Sequence, residues 1–402
     1  MSSAIQDFDI VVAGGGIAGL AAATAFGHLG LRTLCVDPAV PVTERDVQGA
    51  DLRSTAFLQP SRDLFDRIGV WDRLAPHAAD LQIMRIVDAG GVTTEPRLTR
   101  DFDAADISSR PFGWNLSNWL LRREFLAAVA DQPTVTHRTG VGVRDVLPRS
   151  AEAIVQLSDG SRARARLVVA ADGRNSTVRQ QAGIGVRTTR YAQKALAFAV
   201  THDAPHDNVS TEIHRSGGPF TLVPLPDHKG LPCSAVVWME HGPEAHRLLA
   251  LDEDAFSAAA TARSGGLYGP LTLTSQRTLW PIISQIADRF DAPRIALMAE
   301  AAHVVPPIGA QGLNMSLADL ATLLDLIDAA PQELGCPDSL ARYARARRPE
   351  VLARITGVDL LNRASMLSPQ PLRDLRRSGL AALYGLAPVR KRLMQLGLGA
   401  KG

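Results

Sequence analysis

An α/β fold is predicted for this 402-residue chain, and three observations carry the prediction. Near the N-terminus a glycine-rich turn joins an apolar, β-branched run to an alanine-rich helical run. After about residue 281 strand and helix signals alternate again, and between these regions helix signals thin out in favour of sheet. The outer regions describe a Rossmann-like dinucleotide-binding domain, and the middle one a β-sheet domain inserted into it, with helices at the C-terminus. The expected division gives 1–75, 101–182 and 281–365 to the discontinuous dinucleotide-binding domain, 76–100 and 183–280 to a substrate-binding sheet domain, and 366–402 to a helical tail.

The elements justify this in order. Ile10 to Val12 is the first strand; Gly14-Gly15-Gly16-Ile17-Ala18-Gly19 follows it and opens a helix; Thr33 to Val36 is the second strand, closed by Asp37. In that context Gly14 allows a tight turn, Gly16 lets backbone approach a pyrophosphate, and Gly19 permits close helix packing. Gly14, Gly16, Ile17, Ala18 and Gly19 are therefore candidate cofactor-binding residues, with Asp37 placed to bind an adenosine ribose. The motif alone does not separate NAD from FAD. The tail Gly397-Leu-Gly399-Ala-Lys-Gly402 has the same spacing but follows no strand and opens no helix, and is read as chance.

Ala153 to Ala171 reads as a hairpin turning at Ser158-Asp159-Gly160-Ser161, and it runs into Ala171-Asp172-Gly173-Arg174-Asn175-Ser176-Thr177-Val178-Arg179. By residues alone the latter is an Asp-Gly turn entering a helix. Phe220-Thr-Leu-Val-Pro and Ser234-Ala-Val-Val-Trp-Met suggest the inserted sheet, with one helix near Glu253 to Arg263. Arg294 to Met298 returns to strand, followed by helices from about Gly312 to Ala329 and Ser339 to Ser365. Between strand and helix lies Ala299-Glu300-Ala301-Ala302-His303-Val304-Val305-Pro306-Pro307-Ile308-Gly309-Ala310-Gln311-Gly312-Leu313-Asn314. Glu300 is expected to end the strand, and Pro306-Pro307 to offer carbonyls but no N–H, a rigid wall. His303 reads either as a packed or capping histidine or as a proton-transfer group.

Asp172-Gly173, with Ser176 and Arg179 behind them, resembles the DG motif of class A FAD-dependent aromatic hydroxylases, whose prototype is para-hydroxybenzoate hydroxylase. Residues 299–314 resemble the GD motif of the same family and the loop beyond it. Asp51-Leu-Arg53-Ser-Thr-Ala56, Arg345 to Pro349, Val358 to Arg363 and Pro388 to Gly399 are similar to segments of the ubiquinone-biosynthesis hydroxylases. The resemblance spans nearly the whole chain and implies the FAD-binding fold of that prototype, bound FAD, and NAD(P)H as co-substrate. It implies hydroxylation of the aromatic ring of a polyprenylated phenol with O2, in ubiquinone biosynthesis.

Carried over residue by residue, the resemblance puts Asp172 and Gly173 near the FAD pyrophosphate and the nicotinamide. Glu300 would accept hydrogen bonds from ribityl hydroxyls. Gly309, Ala310, Gln311, Gly312, Leu313 and Asn314 would open a helix whose N–H groups and dipole stabilise an anionic reduced ring. Arg53 would sit beside the flavin as a fixed cation, Asn118 at a helix start near the cofactor, and the Pro307 carbonyl would orient the phenol hydroxyl. Arg53, His303 and Pro307 are thus the candidate catalytic residues. The sequence departs from the family at Ala299-Glu300, where the usual pair is Gly-Asp.

Composition narrows the rest. At 46% hydrophobic and 21% charged the chain is ordinary globular material, and a net charge of +2 implies no nucleic-acid partner. Cys35, Cys233 and Cys336 are odd in number and far apart with no CxxC, so neither a metal site nor a disulfide framework is expected. A cytoplasmic location fits. Phe8 to Leu34 follows acidic residues and is broken by glycines, unlike a signal peptide, and no run reaches the roughly 18 apolar residues of a membrane span.

From Pro371 to Gly402 seven Lys/Arg face one acid, Asp374, interleaved with leucines. That pattern suits either an anionic membrane surface, which would make the chain peripheral to the inner membrane, or a solvated face of helices packed on the body. The expected partners are a lipophilic polyprenyl phenol and a ubiquinone-biosynthesis complex. Two alternatives keep the fold: a hydroxylase of a small soluble aromatic, or a prenyl-chain flavin reductase. A third is a non-catalytic flavin-binding scaffold.

Overall fold

The computed structural model describes residues 5–91, 95–215, 217–366 and 370–398. Its first sheet is ordered Asp291–Ala292, Ile295–Leu297, Arg162–Ala170, Gln6–Ala13, Thr33–Asp37, Val135–Thr139. From Ile295–Leu297 to Val135–Thr139 neighbours run parallel. Parallel strands covered on both faces read as unbroken apolar runs, and Ile10, Val11, Val12 and Ala13 are at most 1% exposed. The strand Arg162–Ala170 shows the rule changing along its length. Its first half, paired with Ala153–Leu157 in the hairpin, alternates exposed and buried; its second half, between Gln6–Ala13 and Ile295–Leu297, is buried throughout.

The helix Ile17–His28 lies against this sheet, and Gly19 through Gly27 are all buried. Small side chains permit that: alanines and glycines let the helix axis approach the strands closely.

A second sheet is ordered His303–Val304, Thr278–Ala287, Val186–Thr201, Leu231–His241, Pro219–His228, Val209–His214, Ile83–Asp88, Leu98–Asp103. It is antiparallel except where Val209–His214 meets Ile83–Asp88. Phe198, Phe220 and Trp238 on one face pack with Phe256 of the helix Glu253–Ser264, which Asp252 caps through the N–H of Ala255. The three-stranded sheet of Ser54–Leu58, Gly113–Ser117 and Ala79–Leu81 touches this one through Asn115, whose Nδ2 donates to Pro224 O at 2.8 Å.

One pairing has functional weight. His303–Val304 is an edge strand of the second sheet, with Gln285 opposite Val304 and Ile286 opposite His303. The chain therefore leaves the first sheet at Leu297, makes one helical turn over Ala299–Ala302, and touches the second sheet before the helix Gln311–Ala329 returns it to the first core. That path puts residues 305–310 where the two sheets meet.

Candidate functional site

The turn at residues 14–19 is shaped by close backbone contacts. A side chain on Gly14, at φ +107°, would lie 2.3 Å from Ala171 O, and one on Gly19 would lie 1.9 Å from Gly14 O. Gly16, the N-cap of the helix Ile17–His28, has nothing within 4 Å of an added Cβ, and no side chain caps that helix. Asp37 stands at the end of its strand and accepts from Gly15 N–H at 2.6 Å and Ala39 N–H at 2.7 Å. It shapes the turn, and its remaining lone pairs are the part left for a ribose.

Beside it, from the neighbouring strand, comes a residue that sequence reasoning missed. His137 Nε2 is buried without a hydrogen-bond partner among the described residues. Burial lowers its pKa and Asp37 opposes this, with the net effect downward, which favours the neutral ring. A lone histidine in a strand carries no signal by which it could have been found.

At the Asp-Gly turn, Asp172 Oδ2 accepts from Val178 N–H at 3.1 Å, while its buried Oδ1 has no partner among the described residues. Gly173 adopts φ +82° over open space. Ser176 caps the following helix through Arg179 N–H at 3.0 Å. Arg179, only 5% exposed, donates to Ala301 O and Arg174 O, both at 2.9 Å, and burial lowers its pKa. This arginine bolts the Asp-Gly turn to the segment after Met298. It lay inside the string read from the sequence, but its partner is 122 residues away.

That segment corrects one expectation. Glu300 does not end a strand: the strand stops at Leu297, and Glu300 lies in the helical turn Ala299–Ala302 with its side chain exposed. Ala299 holds φ +54°, the left-handed region where glycine is at ease and a Cβ is not. The backbone keeps a glycine-type conformation although the residue is alanine.

Glu300 contributes to the charge environment of Arg53, where the structure gathers a cluster. Arg53 forks onto Asp51 at 2.8 and 2.6 Å, and its guanidinium lies 4.4 Å from the centre of the Trp280 ring. Asn118 Nδ2 donates to Asp51 Oδ2 at 3.1 Å, and Thr55 Oγ1 donates to Asn118 Oδ1 at 2.8 Å. Burial pushes the Asp51 carboxyl upward, but Arg53 and Asn118 outweigh it and hold it below the usual range. Asp51 lay in a quoted segment without a role of its own and Trp280 was not singled out; only the fold brings residue 280 to residue 53.

The loop before the helix Gln311–Ala329 is tied from behind. Ile308 N–H donates to Pro306 O at 2.8 Å, closing a three-residue turn about Pro307, whose carbonyl has no partner among the described residues. Pro306 is buried and Pro307 exposed. Gly309 and Ala310 take φ +63° and +55°. Gly312 has open space around an added Cβ. Asn314 accepts from Leu58 N–H at 2.9 Å and Ser61 Oγ at 2.7 Å, and donates to Ala56 O and Ala310 O. Its whole side chain is thus spent on protein contacts. Leu313 is half-buried against the first core.

Of the two readings of His303, the geometry favours the packed one: the residue is 2% exposed, and Nε2 donates to buried Asp319 at 2.7 Å.

The C-terminal helices Gln370–Gly385 and Ala387–Leu398 rest on the second sheet. Arg97 pairs with Asp374 at 2.5 Å, Arg390 with Asp106 at 3.1 Å, and Tyr384 donates to Asp101 O at 3.0 Å. Among the described residues no helix is long and apolar enough to cross a membrane, and no group of three or more His, Cys, Asp or Glu could hold a metal ion. Lys401 and the end of the chance glycine string lie outside the described residues.

Comparison with known proteins adds findings of three kinds. Residues 7–357 match the family model described as FAD binding domain. The chain is 32% identical over 401 residues to ubiquinone hydroxylase UbiL of Rhodospirillum rubrum, covering 99% of this chain and 91% of that one. It is 26% identical over 399 residues to 3-demethoxyubiquinol 3-hydroxylase of Escherichia coli, covering 98% and 99%. Among solved structures, p-nitrophenol 4-monooxygenase PnpA from Pseudomonas putida has a TM-score of 0.79 at 19% identity, covering 99% of this chain and all of that one. P. aeruginosa PqsL in complex with 2-aminobenzoylacetate gives 0.77 at 23% identity, covering 94% and 100%. At these identities the structures speak for the fold.

The residues present fit FAD. Two helix N-termini without side-chain caps, the open backbone at Gly16, Gly173 and Gly312, and the unpartnered polar atoms of Asp172 and His137 are what an anionic, hydroxyl-rich dinucleotide would satisfy.

Proposed function

The chain belongs to the FAD-binding-domain family of flavoprotein monooxygenases, and from that premise we propose that it hydroxylates the aromatic ring of a polyprenylated phenol in ubiquinone biosynthesis, using NAD(P)H and O2. The observation that carries this reading is the likeness to ubiquinone hydroxylase UbiL along 99% of this chain. Bound FAD supplies the redox chemistry, taking electrons from NAD(P)H and activating O2 for transfer of one oxygen atom to the ring.

The chain's own residues bind, orient and keep water out. Gly14, Gly16, Ile17, Ala18 and Gly19 receive the pyrophosphate at the helix start, and Asp37 the ribose, with His137 beside them. Asp172 and Gly173 face the middle of the cofactor, and Glu300 the ribityl chain. Residues 309–314 direct backbone N–H groups and the positive helix end at the ring. Arg53, held by Asp51 and Asn118 and stacked on Trp280, is a fixed cation at the rim. The Pro307 carbonyl accepts the phenol O–H; because a phenol activates its own ring, a weak acceptor suffices. Apolar side chains buried behind the loop, Ile308 with Met239 and Ile282 of the second sheet, back the place where a greasy ring would lie.

His303 acts by packing. The exposed Leu386, Val389, Lys391 and Arg392 at the start of the last helix offer apolar and basic groups together, and through them the enzyme rests on an anionic membrane where a polyprenyl substrate resides.

Purified protein is expected to be yellow or to become so with FAD, and to consume NAD(P)H faster when a prenylated phenol is present, giving a product with one added oxygen atom. A product with added hydrogens would point to a reductase, and equal stimulation by short phenols to a soluble aromatic substrate. Deletion of the gene, with mass analysis of accumulated quinone precursors, identifies the missing oxygen. Sedimentation with anionic vesicles, lost on Lys391→Glu with Arg392→Glu, tests the membrane contact.

A further inference from the structure

Residues 299–303 and 306–311 carry part of what is assigned above to the flavin, and local sequence leaves their relative position free. Gly309 and Ala310 both take positive φ, the alanine in a region that a non-glycine residue rarely adopts. No side chain caps the helix that follows.

A line of alternating charges supplies the constraint. Asp319, 0% exposed on the helix Gln311–Ala329, accepts with Oδ2 from the N–H of Ala299 at 3.1 Å and from His303 at 2.7 Å. Its Oδ1 takes Arg347 Nε at 2.8 Å. Arg347, itself buried, donates to Met315 O at 3.3 Å and pairs with Glu350. The other oxygen of Glu350 takes Arg354 Nε at 3.0 Å, and Arg354 Nη1 donates to Gln311 Oε1 at 3.0 Å. Gln311 Nε2 then donates to Gly309 O at 2.9 Å and to Gly397 O at 3.4 Å. Arg347, Glu350 and Arg354 follow one another at i, i+3 and i+7, so one face of the helix Pro337–Ser365 carries them all.

We propose that this relay, from Asp319 through Arg347, Glu350 and Arg354 to Gln311, fixes the N-terminal turn of the helix Gln311–Ala329 against the Ala299–His303 segment, and that Arg354 is a positioning residue for the flavin. Arg354 touches neither flavin nor substrate in this scheme; it holds Gln311, and Gln311 holds the Gly309 carbonyl. The helix end interacts more strongly with an anionic ring than with a neutral one, so a loosened turn weakens binding of the reduced cofactor more than of the oxidised one.

The inference rests on the reading that this turn faces FAD, and the experiment separates the two. In Arg354→Met the side chain removed is 32% exposed, so the fold is expected to persist, and thermal unfolding checks it. Affinity of the apoprotein for oxidised FAD, followed by flavin fluorescence, is expected to fall about threefold, and affinity for the reduced form about tenfold further, from the loss of helix-end stabilisation. For a two-electron couple that tenfold is a midpoint potential about 30 mV more negative. Arg354→Lys keeps the charge next to Glu350 and is expected to recover part of both effects, whereas Arg342→Met, on the same helix, removes an exposed pair with Glu333 of the preceding turn and changes neither.

Gly312→Val tests the underlying reading: unchanged FAD affinity would mean that the turn does not face FAD, and the relay proposal would fall with it. Loss of FAD binding in Gly312→Val, beside an unshifted potential in Arg354→Met, overturns the relay alone.

Discussion

Two helix N-termini are assigned to the cofactor, and the chain builds them by opposite means. The turn at residues 14–19 is a steric object: Gly14 and Gly19 are packed against backbone oxygens so closely that a Cβ has no room. The turn at residues 306–314 is held by side chains whose partners are remote in sequence, Asn314 to Ala56, Leu58 and Ser61, and Gln311 to Arg354. A steric turn tolerates almost no substitution at its contact points, here Gly14 against Ala171 O and Gly19 against Gly14 O. A turn held by hydrogen bonds is adjustable from outside, which suits the end assigned to the ring that changes charge.

If this contrast is right, the largest loss comes from behind the second turn. Asp319→Ala leaves Arg347 and His303 buried without their acceptor and is expected to cost about 3–5 kcal/mol in denaturant unfolding; a loss below about 1 kcal/mol would break the contrast. Burial pushes the Asp319 carboxyl upward, but His303 and Arg347 hold it below the usual range. A carboxyl depressed in the folded state stabilises above its unfolded value, near pH 4, and loses that contribution as pH falls through the folded value. The acid limb of stability should therefore flatten in the variant.

Next in size is Gly19→Ala, whose methyl would stand 1.9 Å from Gly14 O. It should cost about 2–3 kcal/mol and be recovered without FAD. Gly16→Ala meets only open space, so it sharpens the point: melting temperature nearly unchanged, FAD affinity reduced.

Asn314→Ala should cost about 2 kcal/mol, because Leu58 N–H and the Ser61 hydroxyl lose their buried acceptor. Asn314→Asp, which keeps an acceptor, should fall between in thermal unfolding.

The smallest effect has the opposite sign. Ala299→Gly relieves a positive φ and should stabilise by up to about 1 kcal/mol, with tighter FAD binding measured by fluorescence titration. A destabilised variant would mean that the methyl packs usefully.

By itself the sequence determined the α/β architecture, the first turn and the cofactor class. Each is written in short-range features: a strand, glycines at fixed spacing, a carboxylate about 20 residues on, and motif strings that resemble one family. Glu300 shows how far that reaches, since its local structure was mistaken; small residues look alike at a strand end and in a single helical turn. Only the tertiary structure decided that Trp280 lies on Arg53, that Arg179 reaches Ala301, that His137 stands beside Asp37, and that Arg354 donates to Gln311. These pairs join strands and helices 43 to 227 residues apart in the chain (Gln311 to Arg354, Arg53 to Trp280). No local periodicity records such contacts, because strand pairing and the packing of remote elements create them.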